Sequence, residues 1–174
     1  MFMPILSGLV VSIDAFFIGI SLGLQKKCTF AHLAAINAFL FVLCIFGFLL
    51  AGQIYESIPF DPDLIVGFAF IALGLWTILQ YFVFAYIKTI VLVGFIMSLE
   101  AMLITMGITF IFLPYSGFVI PVTVALAHFV YSALSFGLAR TKHVKRVSPA
   151  VSHVVSGLSL IVYGLFAIFV DFGM

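Results

Sequence analysis

Three observations together predict an all-α integral membrane fold for this chain. Of its 174 residues, 66% are hydrophobic and only 7% are charged, with mean hydropathy +1.41. A soluble domain needs far more polar surface than that. The apolar residues also gather into stretches of about 20, the length a helix needs to cross a hydrocarbon core of about 30 Å. Six such stretches follow one another with short connections, which leaves no room for a separate soluble domain.

The first stretch, about 3–24, follows Met1-Phe2-Met3-Pro4. That start lacks the basic region of a signal peptide, so the stretch is read as an uncleaved span. Gln25-Lys26-Lys27-Cys28-Thr29 ends it, and the second, about 31–54, runs to the proline-containing segment from Glu56 to Asp63. The third and fourth, about 64–86 and 89–113, are nearly fused. Between Asp63 and Pro114 the only formal charges are Lys88 and Glu100. At about 1.5 Å per residue one helix of that length would far overshoot the membrane, so the chain folds back at Lys88. Pro114-Tyr115-Ser116-Gly117 is read as a turn before the fifth, about 118–139. Arg140 through Ser148 forms a basic loop, and Ser148-Pro149 supplies an N-cap and first helical residue for the sixth, about 149–170.

Charge sets an expected orientation. All seven Lys and Arg, from Lys26 and Lys27 through Lys88 to Arg140, Lys142, Lys145 and Arg146, fall in alternate loops. Glu56, Asp61, Asp63 and Asp171 fall on the other side. The positive-inside rule then puts the basic loops in the cytoplasm and both termini outside, in a multi-pass protein of the plasma (inner) membrane. The basic loop reads as a topology determinant. With a net charge of +1, no nucleic-acid partner is expected. Cys28 and Cys44 lack CxxC spacing and read as small apolar or loop thiols.

The chain repeats itself. Gly8, Ser12, Asp14 and Ala15 recur as Gly94, Ser98, Glu100 and Ala101, 86 positions later. Gly67 and Gly74 recur as Gly157 and Gly164, 90 positions later. Each half is therefore read as three helices, 1–87 and 88–174. An odd number of spans per half makes the second insert upside down, giving two inverted three-helix repeats.

Each half carries one acid deep in an apolar stretch. An ionised carboxylate at the bilayer centre costs about 2.5–3.5 kcal/mol even on lenient scales, and this chain bears that cost twice, at matching places. At about 100° per residue, Ser7, Asp14 and Ser21 share one helix face, and Gly8, Ser12, Gly19 and Gly23 the other. In the fourth span Glu100 aligns with Gly107, opposite Gly94, Ser98, Thr105 and Thr109. Two carboxylates meeting at low dielectric cannot both stay ionised without a cation between them. Asp14 and Glu100 are thus the candidate metal ligands, and oxygen donors suit an ion such as Mn²⁺. Proton uptake on release would make exchange with protons a further expectation. The alternative is a structural buried pair bonded to hydroxyl or backbone groups.

Ser7, Ser21, Asn37 and His128 are the candidate pathway support. His128 can ligate a metal or relay a proton; equally, it can satisfy itself with a hydroxyl across a helix contact. Asn37, Thr77 and Gln80 read first as interhelical hydrogen-bonding groups. His143 and His153 read as solvated. The 22 Phe carry no motif and read as lipid-facing, and Met97, Met102 and Met106 read as packing.

Ser12-Ile13-Asp14-Ala15-Phe16 and Ser98-Leu99-Glu100-Ala101-Met102 resemble the acidic motifs that open each repeat of the manganese efflux pump (MntP) family, which includes the related sporulation membrane protein YtaF group. Gly47, Gly52 and Gly74-Leu75-Trp76 resemble its small-residue segments. The resemblance implies six helices in two three-helix repeats, a LysE-superfamily-like arrangement. It also implies a secondary transporter, not an enzyme, that exports Mn²⁺ with Asp14 and Glu100 essential. Manganese would be cargo, and no permanently bound cofactor is expected. Three departures stand out: Glu100 occupies a usual Asp position, Leu40 and Cys44 occupy a usually polar stretch, and the acidic loop between repeats is reduced to the turn at Lys88. The alternatives are transport of another cation or small solute, and a non-transport membrane assembly or sporulation factor. HExxH and CxxC motifs are missing from the sequence, as is an ATP-binding motif.

Overall fold

The computed structural model describes residues 2–25, 27–55, 57, 62–84, 90–141 and 149–169. The expected turn at Lys88, the loop residues Lys142 to Ser148 with His143, and Asp171 lie outside them, as do the side chains of Ser21, Gln80 and His153. The described elements are α1 (Phe2–Val11), α2 (Ile13–Leu24), α3 (Phe30–Tyr55), α4 (Pro62–Phe84), α5 (Ile90–Ser116), α6 (Val119–Ala139) and α7 (Pro149–Phe169). No strand occurs among the described residues. The chain is an all-α membrane protein. By length and composition Pro4–Leu24, Phe30–Tyr55, Ile90–Phe112 and Val119–Ala139 can each cross a bilayer, and α4 and α7 hold shorter apolar segments, Leu64–Leu79 and Val154–Phe169.

Two boundaries differ from the sequence reading. The first span is two helices, α1 and α2, interrupted at Ser12. There the Ser12 hydroxyl bonds the Gly8 carbonyl at 2.6 Å, and the Ala15 amide takes the Ser12 carbonyl, three residues back, at 3.1 Å. Ser12 itself leaves helical geometry, with φ −81° and ψ 6°; the same back-bond from Ser98 to the Gly94 carbonyl leaves α5 unbroken. The other difference lies at Pro114, which sits in the last turn of α5 and not in a turn of its own. The chain reverses at Gly117, the one described residue with positive φ (46°), as suits a residue without Cβ just past a helix end.

The helices pair α4 with α7, α3 with α5, and α1–α2 with α6. Glycine makes each close approach possible. A Cβ on Gly74 would strike the Gly157 carbonyl oxygen, and one on Gly157 would strike the Gly74 carbonyl. Gly67 and Gly164 meet in the same way. As the position rises on α4 it falls on α7, so the two run antiparallel. Gly8, Gly19 and Gly23 lie against Thr123, Ser132 and Ala139 of α6, while Gly47 lies against Met102 of α5. This is the small-residue helix contact of membrane proteins, where packing replaces the hydrophobic drive between helices.

Burial runs opposite to that of a soluble protein. Phe46, Phe68, Val91, Leu126 and Phe169 are exposed, as is expected where the solvent is hydrocarbon. Inside, Leu40, Phe70, Ile104, Ile108, Val124 and Leu160 form the apolar core. Embedded beside them are Asp14, Glu100, His128, Asn37, Thr77 and Ser132, all buried.

Candidate functional site

Asp14 stands in the first turn of α2, directly after the interruption at Ser12. Its carboxyl is 2% exposed by residue, and its Oδ1 faces His128 Nε2 on α6 at 3.5 Å. That separation lies beyond the usual N–H···O range, and neither atom has a hydrogen-bond partner. The ring's other nitrogen, Nδ1, stands 3.1 Å from the Val124 carbonyl one turn earlier on α6. A carbonyl only accepts, so Nδ1 is the protonated nitrogen there. This ring therefore meets neither Ser132 nor Ser135, the hydroxyls one and two turns along its own helix.

Glu100 lies mid-way along α5 and is likewise buried. The Thr77 hydroxyl of α4 lies 2.5 Å from Glu100 Oε1 and 2.9 Å from the Leu73 carbonyl, and its one proton serves one acceptor at a time. Gly107, two turns along α5, packs on Phe70 and Val66 of α4. The Glu100–Gly107 face thus looks toward α4, while Gly94 on the opposite face meets Ile36 of α3. Glu100 lies within electrostatic reach of both Asp14 and His128. Asp14 is set against α6 and Glu100 against α4, so different helix pairs hold the two acids.

Asn37 of α3 donates to the Leu33 carbonyl at 2.9 Å and to Ser132 Oγ of α6 at 3.2 Å. It is an interhelical tie, the role its sequence context favoured. Ser7 is buried on α1 with no contact to the acids among the described interactions. Cys44 reaches the Ala101 carbonyl at 3.8 Å; both cysteines are free and buried. Among the described residues, no three His, Cys, Asp or Glu side chains stand close enough together to hold a metal ion. Among the described residues, the buried acids are Asp14, set against His128, and Glu100, held by Thr77.

Two partners escaped sequence reasoning in different degrees. Thr77 was visible as a hydroxyl in an apolar span, but its link to Glu100 depends on the register of α4 against α5. The Asp14–His128 pair joins helices far apart in the chain, and no spacing rule connects them.

At the base of α6, Arg140 donates from Nη2 to the Cys28 carbonyl at 2.6 Å, and its guanidinium sits 4.4 Å over the Phe136 ring. Arg140 is thus both a charge in a basic loop and a tie between the α2–α3 connection and α6.

A multi-span helical membrane protein with two carboxylates buried between its helices is what these features define. Residues 1–79 match the family model Mntp, described as "Putative manganese efflux pump". The match covers α1 through most of α4, including Asp14 and Thr77. No curated protein and no solved structure matches the chain.

Proposed function

We propose that this protein is a secondary transporter that exports a divalent metal cation, Mn²⁺ first among candidates, through a site built on Asp14 and Glu100. One observation carries the reading. Two carboxylates, 86 positions apart on corresponding spans, are both buried among apolar helices. Two anions there repel strongly at low dielectric, and a divalent cation between them removes that cost. The family match adds the kind of cargo, since the family is described as a manganese efflux pump. The interruption at Ser12 adds a further feature, because broken helices beside midplane acids supply backbone oxygens in many transporters.

The two-repeat reading, 1–87 and 88–174 in inverted orientation, has support from packing. Advancing α4 positions by 90 and setting α7 positions back by 90 turns the Gly74–Gly157 contact into Gly164–Gly67. It also turns Ile71 over Gly164 into Ile161 over Gly74. The same exchange of halves carries the α1–α2 pairing with α6 onto the pairing of α5 with α3. With the basic loops taken as cytoplasmic by the positive-inside rule, both termini lie outside the plasma membrane. Alternating access would then rock one three-helix unit against the other around the acids.

Export is tested in a cell lacking its own manganese exporter. Asp14→Asn should abolish manganese tolerance while the protein still inserts at normal level; full tolerance from a well-expressed variant would refute the site.

A structural reading has one observation in its favour: the Thr77–Glu100 hydrogen bond ties α4 to α5. In a membrane assembly factor built on such ties, replacing the acids by Asn and Gln would leave activity intact. The same substitutions in an exporter remove it.

A further inference from the structure

We infer that His128 is a direct ligand of the transported ion, which makes the primary binding pair one carboxylate oxygen and one imidazole nitrogen. The cargo class is then a borderline divalent transition ion, and Mg²⁺ and Ca²⁺ are discriminated against. This inference rests on the reading of Asp14 as a cation ligand and adds the donor that selects among cations.

The two acids differ in what they have left to offer. Glu100 already accepts the Thr77 hydroxyl. Asp14 Oδ1 and His128 Nε2, both sealed from solvent, form an ion-pair contact at 3.5 Å but make no hydrogen bond. Buried polar atoms without a hydrogen bond are costly and rare in a finished fold, and here two of them face each other. Because Nδ1 is turned to the Val124 carbonyl, Nε2 is the nitrogen presented to Asp14. An imidazole whose far nitrogen is held by a backbone carbonyl is the usual arrangement of a metal-binding histidine, since that bond fixes the tautomer and aims the lone pair.

The separation suits an ion. With both atoms 3.5 Å apart, a metal about 2.1 Å from each would subtend an angle of about 110° at the ion. That lies within the range open to tetrahedral and distorted higher coordination. The donor types decide the cargo. Mg²⁺ and Ca²⁺ take oxygen almost exclusively, whereas imidazole suits first-row transition ions and Zn²⁺. Glu100 on α5 is taken up by the Thr77 hydroxyl of α4.

The test is pulsed electron paramagnetic resonance on the purified full-length protein in detergent with Mn²⁺ bound. The expected spectrum carries a nitrogen coupling. Growth on histidine labelled with the heavy nitrogen isotope should alter that coupling without any mutation. His128→Gln should erase it and lower the preference for Mn²⁺ over Mg²⁺ at least tenfold in competition. If Mn²⁺ binds but shows no histidine coupling, His128 is not a ligand, and the carboxylate site stands without it. If wild-type protein binds no Mn²⁺, both the inference and the proposed cargo fall.

Discussion

Asp14 and His128 face each other at 3.5 Å across the contact between α2 and α6, both sealed from solvent. The α2–α6 contact is itself made by glycine: Gly19 and Gly23 let α2 lie on Ser132, Phe136 and Ala139 of α6. Small residues therefore set the distance at which acid and imidazole meet, and packing and chemistry on this face cannot be changed independently.

Glycine packing should dominate stability. Gly74→Ala forces a methyl into the Gly157 carbonyl, an overpacking that costs about 1–3 kcal/mol. Gly52, with nothing near its Cβ position, should accept alanine with no loss and a gain of up to about 1 kcal/mol. Thermal unfolding in detergent separates the two, and equal melting temperatures would show that the α4–α7 approach is looser than described.

Glu100 and Thr77 should trade stability against transport. Thr77→Val leaves a buried carboxylate oxygen without its donor, a cost of about 1–3 kcal/mol. Glu100→Gln keeps a group that can bond Thr77 and should change stability by less than about 1 kcal/mol, yet remove transport. Paired melting and vesicle-flux measurements distinguish these outcomes; an unfolded Glu100→Gln protein that Thr77→Val mimics would favour the helix-tying role.

Arg140 should guard Cys28. Burial raises the Cys28 thiol above its ordinary pKa, and Arg140 lowers it by a smaller amount. Little thiolate is present near neutrality, so labelling by a water-soluble maleimide should be slow and should accelerate as pH climbs past the ordinary thiol range. Arg140→Gln removes the bond to the Cys28 carbonyl and the contact with Phe136, a loss of about 1–2 kcal/mol. Exposure then outweighs the lost charge and the rate should increase several-fold; a slower rate would mean that Cys28 stays buried.

The proposed six-span arrangement returns the chain to the side on which it began. Tags at either end should both be cleaved by protease added to intact cells. Cleavage of one alone would break the two-repeat, three-helix reading.

Much of this was legible in the sequence. Asp14 and Glu100 announce themselves because a carboxylate has no ordinary reason to sit in an apolar span, and their equal spacing from matching glycines gives the repeat. Gly67, Gly74, Gly157 and Gly164 were visible as a pattern, though not as two facing pairs. The break at Ser12 was hidden, since serine is common in membrane helices and Ser98, which makes the same back-bond to Gly94, sits in an unbroken α5. His128 was visible as a residue and not as a partner. Its meeting with Asp14 depends on helix register across a distance of more than half the chain, which periodicity along one helix does not encode.

Radioactive manganese flux into sealed vesicles, with purified protein and its Asp14→Asn variant side by side, probes the cation site most directly. Wild-type protein should carry Mn²⁺ and the variant should fall to the protein-free background while keeping its melting temperature within a few degrees. Flux through a folded Asp14→Asn protein equal to that of the wild type would show that the buried acid does not hold the ion.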